Sequence, residues 1–317
     1  MALSEFEIIK QYFTRSTKQP GCELGVGDDC ALLTVEPGMQ MAVTIDTLVE
    51  NVHFFTDVDA QALGYKSLAV SLSDLSAMGA EPRYATLALT LPEVNALWLQ
   101  GFSDGFFELA DQYHLDLIGG DITRGPLSIT IQAHGVVPDG QALLRSGAGI
   151  GDLIYVTGVI GDAGLALKSC RGDVQCCDPL MLNRLHKPEP RVEAGLVLRN
   201  LASACVDISD GLAADLSHVL QASKVGAVVN ADELPLSEAV QSYQQRNSQP
   251  DFALTAGEDY ELCFTVPEKN VKQLEISSRN WSYPCTCIGR IDNSGQLSFL
   301  KNGQRIEITG NSYQHFS

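Results

Sequence analysis

Short apolar runs of strand length alternate with longer amphipathic runs of helix length along this sequence, and the series restarts near its middle. Periods of two and of 3.6 residues in one chain predict sheets covered by helices. In the first half, Met41–Ile45 reads as a strand ending at Asp46, and 60–78 as a helix. Tyr84–Leu91 alternates like a strand, and 93–113 reads as a helix with Leu97, Phe102, Phe106 and Leu109 as its apolar positions. Leu115–Ile118 reads as a short strand running into Gly119-Gly120-Asp121, and Leu127–Val137 as another. Ser4 and Glu7 have capping-box spacing, which predicts a helix to residue 15 with Phe6, Ile9 and Phe13 on one face. Pro138-Asp139-Gly140 is a strong turn signal, and the Gly-rich stretch 145–151 reads as a linker. A second series follows, with Asp152–Val156, Ala204–Ile208, Tyr260–Val266 and Cys285–Ile291 as strands and 211–223 as a helix. The expected class is α/β (α+β), with mixed sheets flanked by helices in two domains, 1–138 and 149–317.

Composition narrows the function. A hydrophobic content of 45% excludes a disordered or fibrous chain. No apolar run approaches the ~18 residues of a membrane helix. The start, MALSEFEIIKQYF, lacks the basic residues and apolar block of a secretory signal, so a cytoplasmic protein with no membrane partner is expected. The 39 acidic residues outweigh 21 basic ones, and a net charge of −18 repels phosphate backbones, which excludes broad nucleic-acid binding. Nine cysteines, an odd number with no CxxC, predict reduced thiols rather than a disulfide or zinc framework. Cys285 and Cys287 are read as pointing to opposite faces of a strand.

The placement of the aspartates is more informative than their number. Asp46, Asp121, Asp207 and Asp210 are each read at or just past the end of an apolar run. Asp28 and Asp29 lie in a Gly turn, and Asp74 lies in a helix among Ser71, Ser73 and Ser76. Strand ends of α/β folds are where ligand sites gather. Carboxylates brought together raise one another's pKa, and a hard cation such as Mg²⁺ relieves the repulsion. Taken singly, each aspartate reads as a helix cap or turn residue; taken together, they read as metal ligands. The chain has no Walker lysine motif, kinase glycine loop or H-R-D. Phosphates would then be held through metals, with Gly119-Gly120-Asp121 and Gly158-Val-Ile-Gly161-Asp162 offering backbone N–H groups.

Several motifs in order closely resemble the thiamine-monophosphate kinase family. They are Gly25-Val-Gly-Asp-Asp29, Asp46-Thr-Leu-Val49, Asn51-Val-His53-Phe54, Leu72-Ser-Asp74-Leu-Ser-Ala-Met-Gly79, Gly119-Gly-Asp121-Ile-Thr-Arg-Gly125, Asp207-Ile-Ser-Asp210-Gly211 and Gly257-Glu-Asp-Tyr-Glu261. The family belongs to the superfamily of aminoimidazole ribonucleotide synthetase and selenophosphate synthetase, and the resemblance extends to Tyr313-Gln-His-Phe316. It implies the reaction ATP + thiamine phosphate → ADP + thiamine diphosphate, several Mg²⁺ ions, nucleotide bound between two domains, and a homodimer formed through the N-terminal sheets. By motif, Asp29, Asp46, Asp74, Asp121, Asp207 and Asp210 match metal-binding acids, and Thr44 matches a hydroxyl ligand. Gly120, Asp121, Arg145 and Ser209 match nucleotide contacts, while His53, Glu258 and Tyr313 match substrate contacts. Ile45 departs from the family, which often carries a second hydroxyl residue there. No covalent nucleophile or general base is expected.

Other readings stand beside this one. A selenophosphate synthetase needs a reactive Cys or selenocysteine and a Lys in a Gly-rich N-terminal loop, and residues 1–24 have Cys22 but no such loop. The hydrogenase-maturation relative needs a C-terminal Cys, and this chain ends in Ser317. An aminoimidazole ribonucleotide synthetase-like enzyme, a Mg²⁺-dependent phosphatase using clustered aspartates, and a non-catalytic nucleotide-binding scaffold complete the alternatives.

Overall fold

In the computed structural model, which describes residues 4–174 and 178–310, strand pairing runs further along the chain than apolar composition predicts. The chain divides into two units, Met1–Leu75 with Ala80–Gly140, and Ser76–Gly79 with Gln141–Ser317. The elements of the first are α1 (Glu5–Ile8), β1 (Cys22–Leu24), β2 (Leu32–Leu33), β3 (Met39–Val49), α2 (Ala60–Ala77), β4 (Glu81–Leu91), α3 (Ala96–Gln112), β5 (Asp116–Arg124) and β6 (Ser128–Pro138). β1 and β2 pair with each other, and the four long strands form one mixed sheet in the order β3-β6-β4-β5. Only β4 and β5 run parallel in it.

Two aspartates read at strand ends lie within strands instead. Asp46 pairs with Ile131 inside β3, and Asp121 pairs with Ala88 inside β5. Ladder hydrogen bonds come from the backbone, so a long neighbour carries pairing through polar residues. Both aspartates stand on edge strands. Along β3, Thr44, Asp46 and Leu48 share the face that is at least partly buried, while Val43 (55% exposed) and Ile45 (62% exposed) share the other.

The apolar faces of two helices need correction. In α3, Leu99, Phe102, Phe106 and Leu109 are buried at spacings of three and four, but Leu97 is 87% exposed. Leu97 lies five residues before Phe102, which rotates it off that face. The helix starts where the side-chain Oδ1 of Asn95 accepts from Leu97 N (3.0 Å) and Trp98 N (3.1 Å). At the N-terminus the capping box forms, with Ser4 N donating to Glu7 Oε2 at 2.7 Å. The chain then widens into a π turn over Ile9–Phe13, which re-phases the face. Ile8, Tyr12 and Phe13 are buried as a result, and Phe6 is 80% exposed.

The second unit contains β7 (Leu153–Thr157), α4 (Asp162–Cys170), α5 (Pro179–His186), α6 (Val192–Leu198), β8 (Ala204–Ile208), α7 (Leu212–Ser223), β9 (Gly226–Asn230), α8 (Glu238–Asn247), α9 (Phe252–Thr255), β10 (Glu261–Val266), α10 (Val271–Ser278), β11 (Cys285–Asp292), β12 (Leu297–Lys301) and β13 (Gln304–Ile306). Its seven strands are ordered β13-β12-β9-β11-β7-β10-β8, antiparallel except for β9 with β12. Alternate residues supply two cores. Ile154, Val156, Val206 and Cys263 pack with Leu165, Leu212 and Leu216 on one face. Tyr155, Cys205, Leu262 and Phe264 pack with Leu198 and Leu274 on the other. A sheet covered on both faces explains why β8 and β10 are buried throughout.

The stretch 145–151 is a built loop, not a free linker. Gly147 N and Ala148 N each donate to Ser223 Oγ at 3.1 Å, Gly149 N donates to Asp152 Oδ2 at 2.8 Å, and Ala148 enters the core. A Cβ on Gly147 would lie 2.4 Å from the Ser203 carbonyl oxygen, so glycine here serves close packing. Cys285 and Cys287 share a face rather than opposing each other, and both pack on the second core. Residues two apart in a strand point the same way. Among the described residues, no helix is long and apolar enough to cross a membrane.

Candidate active site

In the first unit, β3 brings Thr44 and Asp46 to α2, which answers with Ser71 and Asp74, one turn apart. Ser71 Oγ donates to Asp46 Oδ2 at 2.7 Å, and Thr44 Oγ1 donates to Asp74 Oδ2. Burial, followed by the Asp74 charge, pushes the Asp46 carboxyl up to about 6 against the opposing Ser71 hydrogen bond. Every residue from 62 to 77 of α2 is buried except Asp74. Two carboxylates and two hydroxyls thus meet where an otherwise sealed helix opens. Thr44, Asp46 and Asp74 are expected here from the sequence, whereas the contact role of Ser71 is not. Its signal was the three-residue spacing to Asp74.

The other predicted residues of this unit are placed apart from that pairing. Asp29 is exposed in its turn, and its N–H donates to Asp28 Oδ1 at 2.9 Å. Asp121 is exposed on β5. Gly120 has φ +152°, and a Cβ there would lie 1.9 Å from the Leu87 carbonyl oxygen, so the strand pairing itself demands glycine. His53 follows β3 in a turn, partly buried, and its Nδ1 accepts from Val49 N at 3.0 Å. That bond leaves Nε2 as the protonated nitrogen of the neutral ring. Among the described residues, no group of three or more His, Cys, Asp or Glu side chains is arranged to hold a metal.

In the second unit, Asp207 is buried at the penultimate position of β8. Ser209, Asp210 and Gly211 then wrap the Asp215 carboxylate, each donating its N–H to Asp215 Oδ2 at 3.1 Å. Burial, with the Asp210 charge adding to it, raises Asp215 to about 7, and the three N–H bonds oppose the rise. Sequence reasoning missed Asp215. An acid in the first turn of a helix that begins at a glycine was the available signal. Its carboxylate already takes the Ser209 N–H, so a Ser209 contact to nucleotide would use the hydroxyl or carbonyl.

Glu258 has φ +71°, and its N–H donates to the Ser209 carbonyl at 2.8 Å. Arg145 is exposed on the loop pinned by Ser223, whose Oγ also donates to the Arg145 carbonyl at 3.1 Å. The Gly161 N–H, expected to be open to phosphate, donates instead to both oxygens of Asp259, at 3.0 and 2.9 Å. Tyr313 lies outside the described residues.

AIR synthase related protein family models match the chain twice, the N-terminal domain at 27–137 and the C-terminal domain at 149–301. Thiamine-monophosphate kinase of Escherichia coli (strain K12) is 45% identical over 324 residues, covering 100% of this chain and 99% of the relative. The crystal structure of thiamine-monophosphate kinase from Stenotrophomonas maltophilia K279a has a TM-score of 0.86 and 44% identity, covering 96% of this chain and 99% of that one. A structure of AaThiL complexed with AMPPCP and TMP has a TM-score of 0.75 and 28% identity, covering 89% of each chain. Matched in both domains and over its full length, the chain belongs to the thiamine-monophosphate kinase family of AIR synthase related proteins.

Proposed function

We propose that this chain transfers the γ-phosphoryl group of ATP to thiamine phosphate, giving ADP and thiamine diphosphate. The close placement of Asp46 and Asp74, bridged to Ser71 and Thr44 across β3 and α2, carries the reading, on a chain nearly half identical to a thiamine-monophosphate kinase. A phosphate oxygen of thiamine phosphate attacks the γ-phosphorus in line, and the bond to the ADP oxygen breaks. The acceptor's second pKa is about 6, so at neutral pH it is already an anion and needs no general base. Repulsion between two charged phosphates is the obstacle, which positioning and charge neutralisation address.

Hard oxygen donors and a carboxyl raised by burial and then by a neighbouring carboxylate fit Mg²⁺. Bound there, Mg²⁺ supplies neutralisation of phosphate charge. Asp29, Thr44, Asp46, Asp74, Asp121, Asp207 and Asp210 are the proposed ligands of several ions. Gly120, Asp121, Arg145 and Ser209 contact ATP, and His53, Glu258 and Tyr313 contact thiamine phosphate. Residues 1–138 form the metal, nucleotide and pairing domain, and 149–317 the synthetase-like domain. The proposed setting is the cytoplasm.

Incubation with ATP, Mg²⁺ and thiamine phosphate is expected to yield thiamine diphosphate, with inversion at the phosphorus when a chiral, isotope-labelled γ-thiophosphate is used. Release of inorganic phosphate alone would favour a phosphatase, and net retention would mean a covalent intermediate. We also propose a homodimer through the N-terminal sheet, supported by Val43 and Ile45, which stand exposed together on one face of β3. Sedimentation equilibrium is expected to give twice the chain mass; a single-chain mass would count against pairing.

A further inference from the structure

Loop 257–260 of the second unit holds two non-glycine residues in the left-handed region, Glu258 at φ +71° and Tyr260 at φ +51°. Side chains disfavour that conformation, so surrounding contacts must impose it. On one side the backbone supplies them. Tyr260 N donates to the Ile208 carbonyl and Glu258 N to the Ser209 carbonyl, each at 2.8 Å. These two bonds continue past the end of the β8–β10 ladder, which stops at Glu261 opposite Ile208. A Cβ on Gly257 would lie 2.5 Å from the Ser209 carbonyl oxygen, so the loop lies flat on 208–210.

Asp259, between the two strained residues, secures the other side. Its carboxylate accepts the Gly161 N–H through both oxygens, 98 residues away in sequence. Gly161 is the N-cap of the nine-residue α4 and has no side chain of its own with which to cap it. The helix dipole favours a carboxylate at that end. Burial pushes the Asp259 carboxyl well above its ordinary range and nearby Glu261 and Asp162 add to the rise, while the Gly161 N–H bond and Arg184 oppose it. The two-oxygen contact with the Gly161 N–H fixes the Asp259 side chain at the start of α4.

We infer that Asp259 is a positioning residue: by tying loop 257–260 to the start of α4, it holds Glu258 in the left-handed conformation from which it meets thiamine phosphate. The substrate half of this inference rests on the function proposed above; the anchoring half stands on the geometry alone.

Asp259→Ala and Asp259→Asn test both halves in the full-length chain. Asp259→Ala is expected to raise the KM for thiamine phosphate at least about tenfold, leaving the KM for ATP unchanged. Asp259→Asn keeps one acceptor oxygen and should recover most of the loss. Amide exchange in a peptide covering 255–262 should quicken in Asp259→Ala, while β8 keeps its protection. Should the alanine variant fail to fold, the asparagine variant is expected to show smaller changes in the same direction in both measurements. Equal increases in both KM values, or wild-type exchange at 255–262, would overturn the inference. If the wild-type chain makes no thiamine diphosphate, the proposed function fails, and exchange alone then decides whether Asp259 anchors the loop.

Discussion

Asp74→Asn is expected to lower turnover by roughly three orders of magnitude without unfolding the protein. Asp74 is the one position between 62 and 77 of α2 that escapes burial, so its carboxylate is not needed to fill the core. Asparagine has the same shape and keeps an oxygen to accept the Thr44 hydroxyl, so the β3–α2 contact survives. What disappears is a negative charge beside Asp46, which adds to burial in raising the Asp46 pKa. If the pair neutralises transferred phosphate through Mg²⁺, losing one carboxylate removes metal and the transition-state stabilisation that depends on it. Turnover at saturating Mg²⁺ and a thermal melt measure the two effects separately. Near-normal turnover would remove Asp74 from the site.

Removal of Mg²⁺ by excess chelator is expected to weaken ATP binding by about two orders of magnitude, or about 2.7 kcal/mol. The chain carries a net charge of −18 and no Walker lysine, so Arg145 is the one proposed ATP contact that offsets phosphate charge directly. Tight ATP binding in chelator would mean that the aspartates are structural. The same pairing predicts a pH dependence. Metal-free, the folded protein holds a proton on Asp46 up to about pH 6, whereas the unfolded chain releases it near 3.8. The folded state therefore binds more protons in that window, and the Asp46 contribution to stability falls as pH rises from about 4 through 6. Mg²⁺ competes with that proton, so the rise in Tm on adding Mg²⁺ should be small below pH 5 and grow through pH 6. Asp46→Asn should remove the pH-dependent part. A Mg²⁺ effect on Tm that is flat across this range in the wild type would separate Asp46 from the metal.

Much of the fold was legible because burial on a strand or helix face leaves a periodic trace. β8 and β10, buried on both faces, appear as nearly unbroken apolar runs, and α2 and α7 as long apolar stretches. The trace misleads where a π turn re-phases the face, which exposes Phe6, and where an apolar residue falls off the helical spacing, as Leu97 does five residues before Phe102. It disappears on edge strands, where polar residues are tolerated and neighbouring backbones carry the ladder. Asp46 and Asp121 therefore looked like strand ends.

The sequence by itself determined the class of fold, the two-part organisation and the identity of the acids, because composition, period and motif order are local properties of the chain. Only the tertiary structure decided which groups those acids face. Asp46 meets Ser71 across β3 and α2, and Asp215 gathers three N–H groups at the end of β8. Asp259 reaches across 98 residues to take the Gly161 N–H, which the Gly-rich sequence around it offers to phosphate. The physical reason is that a carboxylate's role follows from the donors and charges around it. Those arrive from elements distant in sequence and leave no mark on its immediate neighbours.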